Sequence, residues 1–263
     1  MQVIKPKKRG ADKKPLCFSQ KNDSMIINRL LYFFELLLLL PVFPLLYFQG
    51  KKLRHKINRL PSHSEFLALK SHKNAPNILI IGESTAAGVG ASRLETTFAF
   101  QVRQQLQEGY SVYNLGKNGL RAERLKRLLL HGQQELSSKI QIGVILIGAN
   151  DCFKFTPPST FHRELKEFVQ LLTQTYGVEK VILSNIPPVH QFPALPWIIR
   201  FFLGWHRTLL IREIHHLQKV MPHLKYKTVK QSLDKSFFAE DGIHPSDLGY
   251  EAMARQLKEE IVS

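Results

Sequence analysis

The chain has 263 residues, 44% of them hydrophobic, enough for one catalytic-sized domain with its own core and an appendage of a few tens of residues. Its formal charge of +16 is uneven, with 14 Lys/Arg against 4 Asp/Glu in residues 1–70 and 23 against 17 in the rest. A basic appendage beside an apolar segment points to anionic lipid and away from nucleic acid, and only two cysteines, Cys17 and Cys152, exclude a disulfide framework.

Residues 1–24, with Lys5, Lys7, Lys8, Arg9, Lys13 and Lys14, are too charged to bury a core and read as a basic, unstructured tail. Residues 25–50 form a hydrophobic, membrane-associating segment. Within it Leu30 to Phe48 is a 19-residue apolar stretch, close to the length that crosses a bilayer core. Glu35 is costly at bilayer depth, and Pro41 and Pro44 break or kink a helix, so an interfacial segment or hairpin, and behind it a buried core element, competes with a straight span. Tyr47, Phe48 and Gln49 follow where a signal peptidase would need small residues, so cleavage is not expected. Basic residues flank the segment on both sides, which leaves the side of the membrane undetermined. Residues 51–76 read as a basic linker, and the folded domain is expected over 77–263.

In that domain Ile78 to Ile81, Ser111 to Leu115, Ile142 to Ile147 and Val181 to Ser184 are short Ile/Val-rich runs that predict buried strands, with Lys225 to Val229 a weaker fifth. Between and after them, Thr96 to Glu108, Leu120 to Leu136, Ser159 to Tyr176, Trp197 to Val220 and Ser246 to Ile261 have helical length and period. Alternation of this kind predicts an α/β fold with a parallel sheet covered on both faces.

In such sheets ligands bind beyond the carboxyl ends of the strands, and "NILIIGESTAAGVG" (77–90) sets Ser84 just past the first one. Gly82, Gly88 and Gly90 fit neither a phosphate loop nor a dinucleotide fingerprint, and the nucleophile elbow is half met, with Ala86 where a second glycine belongs. Ser84 alone reads as a turn residue; a nucleophile needs a base. "FAEDGIHPSDLGY" supplies a candidate, since Asp241 is spaced to accept the second N–H of the His244 imidazole and so fix its tautomer. In "ILIGANDCF" Asn150 emerges at the same sheet edge, where it is either a cap or a donor to a developing oxyanion. "NLGKNGLRAERL" adds Gly119, whose backbone N–H can approach a ligand closely.

These four blocks, in this order, resemble the SGNH (GDSL-like) hydrolase family over about Asn77 to Ile261. The resemblance implies a three-layer α/β/α flavodoxin-like fold and a serine esterase. It casts Ser84 as nucleophile, His244 as general base, Asp241 as its orienting partner, and the Ser84 N–H, Gly119 N–H and Asn150 side chain as the oxyanion hole. Gly116 competes with Gly119 for the second block, and Glu83 replaces the family's more usual aspartate before the serine.

The aromatic stretch "SNIPPVHQFPALPWIIRFFLGWHRTLL" offers Phe192, Trp197, Phe201, Phe202 and Trp205 mainly as core, with its Pro-rich start a candidate pocket wall. The eleven histidines lack ligand spacing, so no metal and no cofactor is expected. The leading expectation is a membrane-associated serine ester hydrolase acting on a small-molecule or lipid ester. Removal or transfer of acetyl groups on envelope polysaccharide is the second reading, and a non-catalytic membrane-tethered binding module the third.

Overall fold

The structure, a computed structural model, describes residues 19–136, 139–226 and 233–262. In chain order its elements are α1 (Ser19–Lys56), β1 (Phe66–Leu69), β2 (Asn77–Gly82), α2 (Phe98–Gln105), β3 (Ser111–Gly116), α3 (Leu125–Gly132) and β4 (Ile142–Leu146). They continue with α4 (Ala149–Phe153), α5 (Pro158–Gln174), β5 (Lys180–Leu183), α6 (Trp197–Gln218), β6 (Leu224–Tyr226) and α7 (Asp247–Val262). Most of the predicted basic tail, and residues 227–229 of the weak fifth strand, lie outside the described residues.

All of β3, and all but the first residue of β2 and β4, are buried, as strands covered on both faces must be. The pleat divides their side chains between two cores. Leu79 and Ile81 of β2 pack with Leu125 and Leu129 of α3, Phe161 and Leu165 of α5, and Leu203 and Leu210 of α6. Ile78 and Ile80 pack on the other face with Phe98 and Val102 of α2 and with Tyr250 and Leu257 of α7. The expected three-layer α/β/α architecture is present.

The sheet order is β1-β3-β2-β4-β5-β6. The strands from β3 to β6 are parallel, and their order is the flavodoxin-like one, which reverses direction between β2 and β4. A wholly parallel sheet is corrected by β1, which pairs antiparallel with β3 from Phe66 opposite Leu115 to Leu69 opposite Val112. This strand falls in the stretch read as linker, because a four-residue, half-exposed edge strand lacks the continuous apolar run of a buried one. Two predicted helices are shorter than their periodicity suggested: α2 and α3 each follow a 3-10 turn, at Leu94–Thr96 and Ala122–Arg124.

Helix α1 runs through Pro41 and Pro44 without a break, where the missing donors predicted one. Leu39 is buried and Val42 and Leu46 half-buried on the side facing the domain, so packing supports the turns that the prolines weaken. The same face carries polar anchors. Asn28 Nδ2 donates to the Leu209 carbonyl at 3.1 Å and to Glu213 Oε1 at 2.6 Å, and the Tyr32 hydroxyl donates to the Phe155 carbonyl at 3.1 Å. Glu35 Oε2 lies 2.8 Å from His206 Nδ1, with both side chains fully buried, and His206 Nε2 lies 3.1 Å from the Thr156 carbonyl. The acid that looked misplaced in an apolar helix thus has its partner on α6.

Removing one member of a buried pair strands the other without compensation. Glu35→Ala should therefore lower the unfolding free energy by about 3 kcal/mol, while Glu35→Leu combined with His206→Leu should lose less than either single change. Urea midpoints of the full chain in mild detergent measure both.

Candidate active site

The candidate site forms where β2 and β4 end, and close backbone contact builds it. A Cβ on Gly82 would lie 2.1 Å from the Leu146 carbonyl oxygen, so a side chain there would part the two strand ends. Across β3, Gly116 pairs with Gly82, and a Cβ on it would meet Ala87 N at 2.2 Å. The loop after β2 therefore lies directly on the end of β3. It is held by Asn114 Nδ2 and Ser64 Oγ, which donate to the Ala86 carbonyl at 2.9 and 3.0 Å. Within that loop the Val89 N–H donates to the Ser84 carbonyl at 3.0 Å, a tight turn that sets Ser84 at its start.

A third glycine brings the histidine to the serine loop. Gly90 has φ +98°, and a Cβ there would sit 2.4 Å from the Pro245 carbonyl oxygen and 2.9 Å from His244 Cβ. Two bonds tie the loops beside it: the Tyr250 hydroxyl donates to the Val89 carbonyl at 2.6 Å, and Ser92 Oγ to Asp247 Oδ2 at 2.6 Å. Asp241 Oδ2 lies 2.5 Å from His244 Nδ1, while its Oδ1 accepts the N–H groups of Ile243 at 2.9 Å and His244 at 3.0 Å. Burial works to raise the Asp241 carboxyl, but these donors together outweigh it and hold the group below its ordinary range. An ionised Asp241 accepts a hydrogen bond from Nδ1–H, keeping the proton on Nδ1 and leaving Nε2 as the imidazole's basic nitrogen.

The third block is organised by the residue in front of the serine. Gly148, with φ +124°, occupies the N-cap of α4 and has no side chain to cap it. Glu83, the residue after β2, does so: its carboxylate accepts the N–H groups of Ala149 and Asn150, each at 3.0 Å, and Asn150 Nδ2 at 2.6 Å. One hydrogen of the Asn150 amide is thereby held, and the other remains for a ligand. Burial pushes the Glu83 carboxyl up to about 7, against the lowering effect of those donors.

Ser84, Asn150 and His244 share one cavity of about 220 Å³, and Pro187, Pro188 and Phe192 form part of its wall. The Pro-rich loop after β5 is thus a pocket wall. Of the aromatic residues weighed as core, Phe192 and Phe202 are buried and Trp205 half-buried, but Trp197 and Phe201 are exposed. Gly119 sits at an open turn with φ +77° and does not line the cavity; its neighbour Asn118 does. Sequence reasoning missed Asn118, although a polar side chain before a turn glycine at this sheet edge is the signal that would have found it. It also missed the grip of Glu83 on Asn150.

The raised Glu83 carboxyl has a signed consequence for stability. The folded chain holds a proton that the unfolded chain releases near pH 4.5, so this contribution is complete below that value and is lost as pH rises through about 7. Asp151, raised by burial to about 6, acts in the same direction. Glu83→Gln should shrink the loss of stability between about pH 5 and about pH 8 by up to about 3 kcal/mol, read from urea midpoints of the two proteins at both pH values.

Solved structures of two esterases are among those that share this fold. A carbohydrate acetylesterase from Sinorhizobium meliloti matches at 18% identity and a TM-score of 0.56, over 71% of this chain and 98% of that one. An acetylxylan esterase from Geobacillus stearothermophilus matches at 20% identity and a TM-score of 0.53, over 72% of this chain and 96% of that one. No curated protein sequence matches the chain significantly. Residues 80–252, from the second half of β2 into α7, match the sequence profile of the GDSL-like lipase/acylhydrolase family. With that match over most of the folded domain, the chain belongs to the GDSL-like lipase/acylhydrolase family and is a hydrolase of carboxylic esters.

Proposed function

We propose that Ser84, His244 and Asp241 form the catalytic triad of this esterase and that the Ser84 N–H and the Asn150 side chain form its oxyanion hole; Gly119, which does not line the cavity, is left out of it. The observation that carries this reading is the Asp241–His244 pair, 2.5 Å apart, whose histidine lines the cavity that Ser84 and Asn150 also line. Ser84 Oγ attacks the ester carbonyl carbon as His244 Nε2 takes its proton, and the carbonyl oxygen becomes the oxyanion. Collapse breaks the bond to the alcohol, which leaves with the proton from His244, and an acyl-enzyme remains. Water then attacks in the same manner, giving its proton to His244 and releasing the acid and the free serine. Asp241 keeps the imidazole oriented and stabilises its cationic form throughout. Glu83 is a positioning residue, acting through Asn150.

On the wall of the cavity, Phe153, Phe192, Phe237 and Ile243 favour an acyl chain longer than acetyl. A second reading, an acetyl ester on a carbohydrate, draws support from the two acetylesterases that share the fold. The N-terminal helix supports a membrane-associated enzyme, since Met25–Leu53 is long and apolar enough to cross a bilayer.

Ser84→Ala should lower kcat on a p-nitrophenyl ester by about 10⁴-fold and abolish labelling by a fluorophosphonate probe, whereas Asn150→Ala should lower kcat by about 10²-fold. Equal turnover by wild type and Ser84→Ala would refute the triad, and an unlabelled wild type would favour a binding module. Across a series of p-nitrophenyl esters, kcat/KM should rise from acetyl to hexanoyl by roughly tenfold, as expected if buried methylenes contribute part of their transfer free energy. A preference for acetyl would instead favour the carbohydrate reading.

A further inference from the structure

Helix α1 has two faces of opposite character. Asn28, Glu35 and Leu39 are buried against the domain, and Val42, Leu46, Gln49 and Leu53 continue this stripe half-buried. At 1.5 Å per residue the contact runs for about 37 Å, so α1 lies along the domain as a strap. Its other face exposes Leu30, Phe33, Leu37, Leu40, Phe43 and Phe48. Helix α6 runs antiparallel beside it, with Asn28 at Glu213, Glu35 at His206 and Phe34 at Trp205.

The apolar surface does not stop at α1. Phe34 packs on Trp205 and Trp205 on Phe201, with ring centroids 6.2 Å apart in each pair. Phe201 is 55% exposed and Trp197, one turn further, 73%. The two helices thus share one exposed aromatic and aliphatic surface, of the contiguous kind that marks an interaction face. Cations border it: Arg200 lines the groove between Leu31 and Phe201, and Lys51, Lys52 and Arg59 are exposed around the end of α1. Apolar area rimmed by cations is complementary to a bilayer with anionic headgroups.

The catalytic cavity lies beside this end of the strap. Ile57, Asn58, Arg59 and Leu60, directly after α1, line a space of about 340 Å³ together with Asn118, Asp241 and His244. We infer that α1 and the N-terminal half of α6 form one membrane-binding face, that the domain lies on an anionic bilayer through this face, and that the enzyme draws its ester from that bilayer. Only the last clause rests on the ester-hydrolase reading. A span that left the domain in water would pull α1 from α6 and expose Asn28 and Glu35 to hydrocarbon.

The chain has two tryptophans, Trp197 and Trp205, both on α6, and Trp205→Phe leaves Trp197 as the sole reporter. In full-length Trp205→Phe reconstituted into phosphatidylcholine–phosphatidylglycerol vesicles, dibrominated acyl chains should quench its fluorescence roughly twofold or more, as for an indole seated at the hydrocarbon boundary. Unquenched fluorescence would overturn the face, whether the domain stands in water or a second copy covers α6, and cross-linking would reveal the latter. The paired change Trp197→Ser and Phe201→Ser should lower hydrolysis of a long-chain ester carried in the same vesicles by roughly tenfold while leaving a short water-soluble ester unaffected. Equal vesicle rates for this variant and wild type would overturn the lipid source. If wild type cleaved neither ester, the hydrolase reading and the lipid-source clause would fall, and the quenching would still decide the face.

Discussion

Backbone must pass backbone at the carboxyl edge of this sheet with no side chain between, and the site's arrangement follows from that constraint. Gly82, Gly116 and Gly90 stand at the three crossings, against β4, the loop after β2 and the turn before α7. Because the contacts are carbonyl and amide atoms, there is no flexible side-chain end to yield, and each crossing fixes one block relative to another. Ser84, Asn150 and His244 come from two loops and a helix start spread along the chain, yet they meet on one cavity because the backbone beneath them is in contact.

Glu83 adds a second layer to that arrangement. A carboxylate that gathers two backbone N–H groups and an amide from the first turn of α4 replaces the cap that Gly148 cannot supply. Its reach from the end of β2 couples the block containing the proposed nucleophile to the block containing the proposed oxyanion donor. The cost is a buried acid with a raised proton affinity, a common arrangement where a polar network positions reacting groups.

How much of this was legible in the sequence depends on how local each cause is. Strands β2 to β5 were visible because their apolar runs encode burial on both faces, and Ser84, Asp241 and His244 because their spacing and order encode a chemistry. β1 was invisible because its stability comes from pairing with β3 and little from its own four residues. The contact of Glu83 with Asn150 is a tertiary fact that no local pattern records. Glu35 is an anomaly within its own helix, and its partner lies on α6, 171 residues further along the chain.

That separation also imposes an order on synthesis. Helix α1 precedes α6 in the chain, and His206 and Glu213, which satisfy its polar side chains, are translated 171 residues after Glu35 and 185 residues after Asn28 respectively. Until then an apolar helix bearing an uncompensated acid must wait at a membrane or with a chaperone, and it becomes a strap only when α6 has folded. The strap is therefore a late-closing part of the fold, although its residues leave the ribosome before those of α6.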